Sequence, residues 1–148
     1  MTETPTFVAE NRSGLEVLIY TVRGLSEAQL CAPMEAGWTV SGVLMHLAFW
    51  DLRALTLVQK WEKEGAGPSP MDIDVVNEAM RRLLNAVSPQ AAVEMVLDSA
   101  ALVADEISRL SPEQLADFEA NGPSLHLNRA NHWRTHLDEI NQRLGLAS

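Results

Sequence analysis

The chain has 148 residues, 47% hydrophobic and 21% charged, which suits one globular domain with a sizeable core and excludes a disordered chain. Twenty acidic residues against eleven basic ones give a formal net charge of −9. The basic residues are scattered, which argues against a face for nucleic acid or an anionic bilayer. The single cysteine, Cys31, excludes an intramolecular disulfide and a thiolate cluster, and reads as a small semi-buried side chain beside Leu30.

The opening MTETPTFVAEN is polar and acidic, unlike a secretory signal. The apolar run from Val17 to Tyr20 is too short to span a membrane. A reducing cytoplasm is the expected compartment.

Leu, Ala, Val and Glu are abundant and aromatics few, a mix that favours helix over strand. Phe7, Leu15, Leu18, Ile19 and Val22 recur at three- and four-residue steps, predicting a helix from Thr6 to Arg23 with one buried face. Gly24 interrupts it. Ser26 followed by Gln29 has the pattern of a capping box and predicts a short extra turn. Ala32 to Trp38, containing Pro33 and Gly37, reads as a loop.

The second long helix is expected from Thr39 to Glu64, capped by Thr39 or Ser41 and ended by Gly65. Val40, Val43, Leu44, Leu47, Ala54, Leu55, Val58 and Trp61 form its core stripe. Met45, Phe49 and Leu52 fall on nearly the opposite side. A helix apolar on two sides is central or covered by a partner, so a homodimer contact through those three residues is expected.

Residues 65–70 form a loop joining helices. A helix from Asp72 to Ala86 follows, with Val75, Val76, Ala79, Met80, Leu83 and Leu84 inward. Ser88-Pro89 is a cap with proline at the first helical position. It opens a helix to Leu110 carrying Val93, Val96, Leu97, Ala100, Val103 and Ile107. Ser111-Pro112 repeats the device for a short turn to Phe118. Ala120 to Leu127, with Gly122-Pro123 and His126, is a second loop. The last helix runs from Asn128 to Leu144 and stops at Gly145. No segment alternates with period two, so the fold expected is all-α, a four-helix bundle.

His132 and His136 stand four residues apart in NHWRTHLDEI, one helical turn apart on one face. Ala130, Trp133, Leu137, Ile140 and Leu144 define that helix's buried stripe, and both histidines lie about 95° from its centre. Glu139 and Arg143 share their side. His46 lies at the edge of the second helix's core stripe, near Trp50 and Arg53. The three histidines can therefore flank a groove and close on one divalent metal. Neutral imidazole binds Zn, Ni, Cu and Fe ions, and three protein ligands leave a coordination position open, as in catalytic sites. The alternative is a pair of solvated histidines plus one ordinary helix-edge histidine.

His126, in a loop, reads as solvated. Arg53 and Arg134 are candidate anchors for a substrate carboxylate, or else solvated or salt-bridged surface groups. Trp38 and Trp50 either line a pocket or pack in the core. Asp51 falls within the core stripe and needs a partner. That partner is a metal-ligating imidazole or, the favoured reading, a backbone or loop donor. Glu139 is the candidate general base.

These residues also carry a family resemblance. A loop ending in Gly37-Trp38 leads to His46 in GWTVSGVLMHLAFWD. Then come Asn77 in DIDVVNEAMRR and the late His132-x-x-x-His136 pair. In order and spacing the chain resembles the DinB/YfiT-like superfamily of metalloenzymes. The resemblance implies a four-helix bundle with a long crossover between helices 2 and 3, often a homodimer. It implies a divalent metal (Zn, Ni, Fe or Mn) held by His46, His132 and His136. Characterised relatives include glutathione- or mycothiol-dependent isomerases and thiol S-transferases. The implied function is a metal-dependent S-transferase or isomerase using mycothiol, bacillithiol or glutathione on a small-molecule substrate, or a hydrolase. The alternative is a non-enzymatic dimeric helical protein for ligand binding or stress response, with a structural or vestigial metal site.

Overall fold

A computed structural model describes residues 3–122 and 125–147 of the chain. Pro123 of the loop expected at 120–127 lies outside them. Among the described residues the regular structure is helical, with seven α-helices, one 3₁₀ turn and one isolated bridge, Pro33 to Thr39. The helices are α1 (Thr6–Arg23), α2 (Glu27–Leu30), α3 (Val40–Glu64), α4 (Ile73–Asn85), α5 (Pro89–Ser108), α6 (Pro112–Glu119) and α7 (Arg129–Leu144).

Their ends follow from local chemistry. Thr39, Asp72, Ser88 and Asn128 each accept a backbone N–H of the first turn through the side chain, satisfying a donor that has no intrahelical partner. Ser26 with Gln29, and Ser111 with Gln114, form complete capping boxes. Gly145 ends α7 with φ at 69°, a conformation that L side chains rarely adopt.

Four helices close a ring: α3 packs on α5, α5 on α1, α1 on α7, and α7 on α3. Leu18, Val22, Leu44, Leu47, Val58, Val96, Val103, Trp133 and Ile140 fill the interior with 0–1% exposure, so burial of apolar surface supplies the main stabilisation. The connection from α3 to α5 contains α4, which packs on α3. By length and hydropathy α3 could cross a membrane, but 56% of its most apolar window is buried in the bundle.

Gly14 marks a close approach of α1 to α7: a Cβ there would stand 2.7 Å from Ala130 Cβ. Beside it, buried Asn11 donates to the Leu127 carbonyl at 2.9 Å and accepts from the Ala130 N–H at 3.0 Å. One side chain of α1 thereby satisfies the chain entering α7 and fixes where the first turn of α7 begins.

Three expectations are corrected. Cys31 is exposed, at the C-cap that follows the single turn of α2. Val75 and Leu83 of α4 are outward, at 62% and 72% exposure, and Ala79 is exposed. Among the described residues α4 packs chiefly on α3, so one narrow stripe (Val76, Met80 and Leu84) is covered while the flank stays in solvent. Finally, 32–38 is not wholly irregular: Glu35–Gly37 forms a 3₁₀ turn with Ala36 at φ 55°.

Candidate metal centre

Asp51, on α3, is fully buried and is held by two donors from α7. The Arg129 Nε–H donates to Oδ1 at 2.8 Å, and the Trp133 indole N–H donates to Oδ2 at 2.7 Å. Burial raises the pKa of the Asp51 carboxyl, while the Arg129 guanidinium and the two donated bonds oppose that rise. This corrects the expectation of a backbone or loop donor: both partners are side chains of the facing helix. Arg129 is itself only 6% exposed. Its Nη1 donates to the His126 carbonyl at 3.2 Å, and its Nη2 lies 3.4 Å from His132 Nδ1.

The α3–α7 clamp brings the three histidines together. Ring centroids are 4.8 Å apart for His46–His136 and His132–His136, and 5.3 Å for His46–His132. One nitrogen from each ring lies within 4.8 Å of the others. Metal–nitrogen bonds of about 2.0–2.1 Å require nitrogens closer together than this, so the rings must draw inward to close on one ion.

Two features of the donor set fit a cation. His46 Nδ1 is buried and has no hydrogen-bond partner, an unmet polar atom that costs about 1–3 kcal/mol unless something engages it. Burial also keeps two rings neutral, the ligating form. His46 is lowered to about 4, chiefly by burial and then by His136 and Arg129. His132 is lowered to about 2, again by burial first and then by Arg129 and its histidine neighbours.

The third ring has a different partner. His136 Nδ1 lies 3.1 Å from Glu139 Oε2. A carboxylate only accepts, so Nδ1 carries a proton, and in the neutral ring Nε2 is the nitrogen with the free lone pair. Glu139 thus orients a ligand ring, a more definite place than the general-base role considered for it.

Beside the triangle opens a cleft of about 730 Å³, walled by Trp38, His46, Asn77, His136, Glu139 and Arg143 among others. Trp38 meets the His46 ring edge-on at 5.6 Å, and Trp50 does so at 6.4 Å. Asn77 Oδ1 accepts from the Trp50 indole at 2.9 Å. Asn85 sets the height of Trp38 by donating to the Gly37 carbonyl and accepting from the Thr39 N–H. A Cβ at Gly42 would collide with the Asn85 side-chain oxygen, so this seating needs glycine in the first turn of α3.

Neither arginine proposed as a carboxylate anchor lines the cleft. Arg53 donates to the Ser69 carbonyl and hydroxyl at 2.9 Å each, and exposed Arg134 donates to Asn131 Oδ1. Arg143 lines it instead, with its Nε–H on the Pro33 carbonyl at 3.1 Å. His126 has an exposed side chain and only its carbonyl contacts Arg129. Arg129 was missed by periodicity, though a signal existed: a buried acid on α3 calls for a cation, and Arg129 lies one turn before His132.

Comparison with known proteins adds one match. A family model described as the mycothiol maleylpyruvate isomerase N-terminal domain covers residues 12–140, spanning all three histidines. No curated protein and no solved structure gives a significant match.

Proposed function

The chain belongs to the mycothiol maleylpyruvate isomerase N-terminal domain family, within the DinB/YfiT-like superfamily, and from that membership we propose a metal-dependent, thiol-using isomerase or S-transferase. The observation that carries the proposal is the triangle of His46, His132 and His136 beside an open cleft, with His46 Nδ1 unpartnered. These three residues would hold one divalent ion. Such an ion supplies Lewis acidity, drawing the pKa of a thiol or water down toward neutrality.

The chain's own residues supply the rest. Glu139 keeps the proton on His136 Nδ1, so the ring presents Nε2 to the centre. Asp51, through Arg129 and Trp133, holds α7 against α3 at the level of the histidines. The indoles of Trp38 and Trp50 flank His46 with apolar surface, which keeps water from its inner side. Asn77, Glu139 and Arg143 offer polar groups to a small ligand in the cleft.

The test is metal analysis of the purified protein beside His46→Ala. The expected result is about one divalent ion per chain, lost in the variant while the helical circular dichroism persists, because the core is apolar without the site. Stoichiometric metal in His46→Ala overturns the three-histidine centre. Adding mycothiol, bacillithiol or glutathione to the cobalt form should change its absorption for one thiol; no change with any of them overturns the thiol role.

A further inference from the structure

His132 and His136 are one turn apart and should act alike as ligands, yet their Nδ1 atoms face opposite chemistry. His136 Nδ1 meets the Glu139 carboxylate, an acceptor. His132 Nδ1 meets the Arg129 Nη2, 3.4 Å away, and a guanidinium can only donate. A neutral imidazole has a single in-plane lone pair. If Nδ1 accepts from Arg129, that lone pair is occupied and the ring proton sits on Nε2. If His132 binds metal through Nδ1, Arg129 must leave. If it binds through Nε2, the proton moves to Nδ1 and confronts N–H donors of a cation. On either nitrogen, the Arg129 bond and ligation by neutral His132 exclude each other.

Arg129 is not placed there by chance flexibility. It is 6% exposed, its Nε is fixed on fully buried Asp51 at 2.8 Å and its Nη1 on the His126 carbonyl at 3.2 Å. A buried ion pair is a poor device for stability alone, since apolar residues of similar volume often serve as well. Two of the guanidinium's nitrogens are thus held while the third, Nη2, reaches the ligand ring.

We propose that Arg129 is a built-in competitor for the metal: anchored on Asp51, it occupies His132 in the metal-free protein and must release it for the site to load. Metal affinity is therefore set partly by the Asp51–Arg129 pair, which does not line the cleft. The inference rests on the three-histidine reading above.

The test is a cobalt(II) titration, followed by d–d absorption, of the unaltered protein and of Arg129→Lys. Lysine keeps the charge and a partner for Asp51, so the fold is preserved, but it lacks the second arm that reaches His132. Under competition, Arg129→Lys binds cobalt about 10-fold more tightly, the scale on which outer-sphere changes act at metal sites. Adding His132→Ala to it should abolish the gain. Equal or weaker binding by Arg129→Lys overturns the proposal, and so does a gain that survives His132→Ala. The metal site itself fails differently: cobalt binding would be absent from every variant or unaffected by His46→Ala.

A second measurement uses the unaltered protein. Ring ¹⁵N shifts should report the Nε2–H tautomer of His132 without metal, and one equivalent of zinc should shift the Arg129 guanidinium resonances. An Nδ1–H tautomer in the metal-free protein, or guanidinium resonances indifferent to zinc, overturns the proposal.

Discussion

The Trp133 indole N–H donates to Asp51 Oδ2 at 2.7 Å, joining the helix that bears His132 and His136 to the one that bears His46. Arg129 occupies the other carboxylate oxygen, so one fully buried acid satisfies two donors of α7. Replacing Asp51 with Ala leaves a buried cation and an indole N–H without partners. The expected loss is about 3–5 kcal/mol, the usual cost of removing one member of a buried pair. Urea unfolding of metal-free protein measures it; a loss under about 1 kcal/mol would show that water replaces the carboxylate.

Gly14→Ala tests the approach of α1 to α7. The new Cβ would meet Ala130 Cβ at 2.7 Å, so the helices must part and the bonds of Asn11 to Leu127 and Ala130 must stretch. Alanine gains helix propensity over glycine, but the overpacking penalty of about 1–3 kcal/mol exceeds it. The variant should melt at lower temperature, and an unchanged or higher Tm would mean that the interface yields freely.

Glu139→Ala removes the acceptor on His136 Nδ1. Glu139 is half-exposed, and its loss should leave the melting temperature of metal-free protein nearly unchanged. Metal affinity should drop about 10–100-fold, the range for outer-sphere partners of ligating histidines. Competition against a chromogenic chelator reads this directly, and unchanged affinity would place the ring's orientation under the control of packing alone.

The metal-free protein should lose stability in mild acid. His46 and His132 are lowered to about 4 and about 2 from the ordinary 6.5. Below pH 6.5 the unfolded chain takes up protons that the native state refuses, so stability rises with pH across this window. The full contribution is present above 6.5; the part due to His46 is lost as pH falls toward about 4, and the part due to His132 continues to be lost below that, toward about 2. Denaturant midpoints in chelator should fall steadily between those values. The same series for a His46→Ala, His132→Ala double variant should be flatter; identical slopes would assign the loss to carboxylates instead.

The helices were legible in the chain because their causes are local. Ser26, Thr39, Ser88 and Ser111 cap where side-chain oxygens precede apolar runs, and the buried stripes of α1, α3, α5 and α7 follow the 3.6-residue period. The fold class followed, and so did the grouping of His46, His132 and His136, since phase on two helices and spacing on one place them along a common groove. Period alone misjudged α4: Val75 and Leu83 have the phase of a broad core stripe, yet how much of a stripe is covered depends on how many neighbours a helix meets. It meets only α3 closely.

What the sequence determined by itself, then, was the set of helices, the stripe each buries and the three histidines that share an edge. Only the tertiary structure decided their partners. Asp51 and Arg129 are 78 residues apart; a buried acid calls for a cation, but which of the eleven basic residues answers it was decided by the packing of α7 on α3. The same packing put Arg143 rather than Arg53 or Arg134 in the cleft wall, and by fixing the Arg129 guanidinium on Asp51 it aimed one arm at His132, three residues further along α7. Hydrogen bonding needs position to within a few tenths of an ångström, and periodicity resolves only the face of a helix.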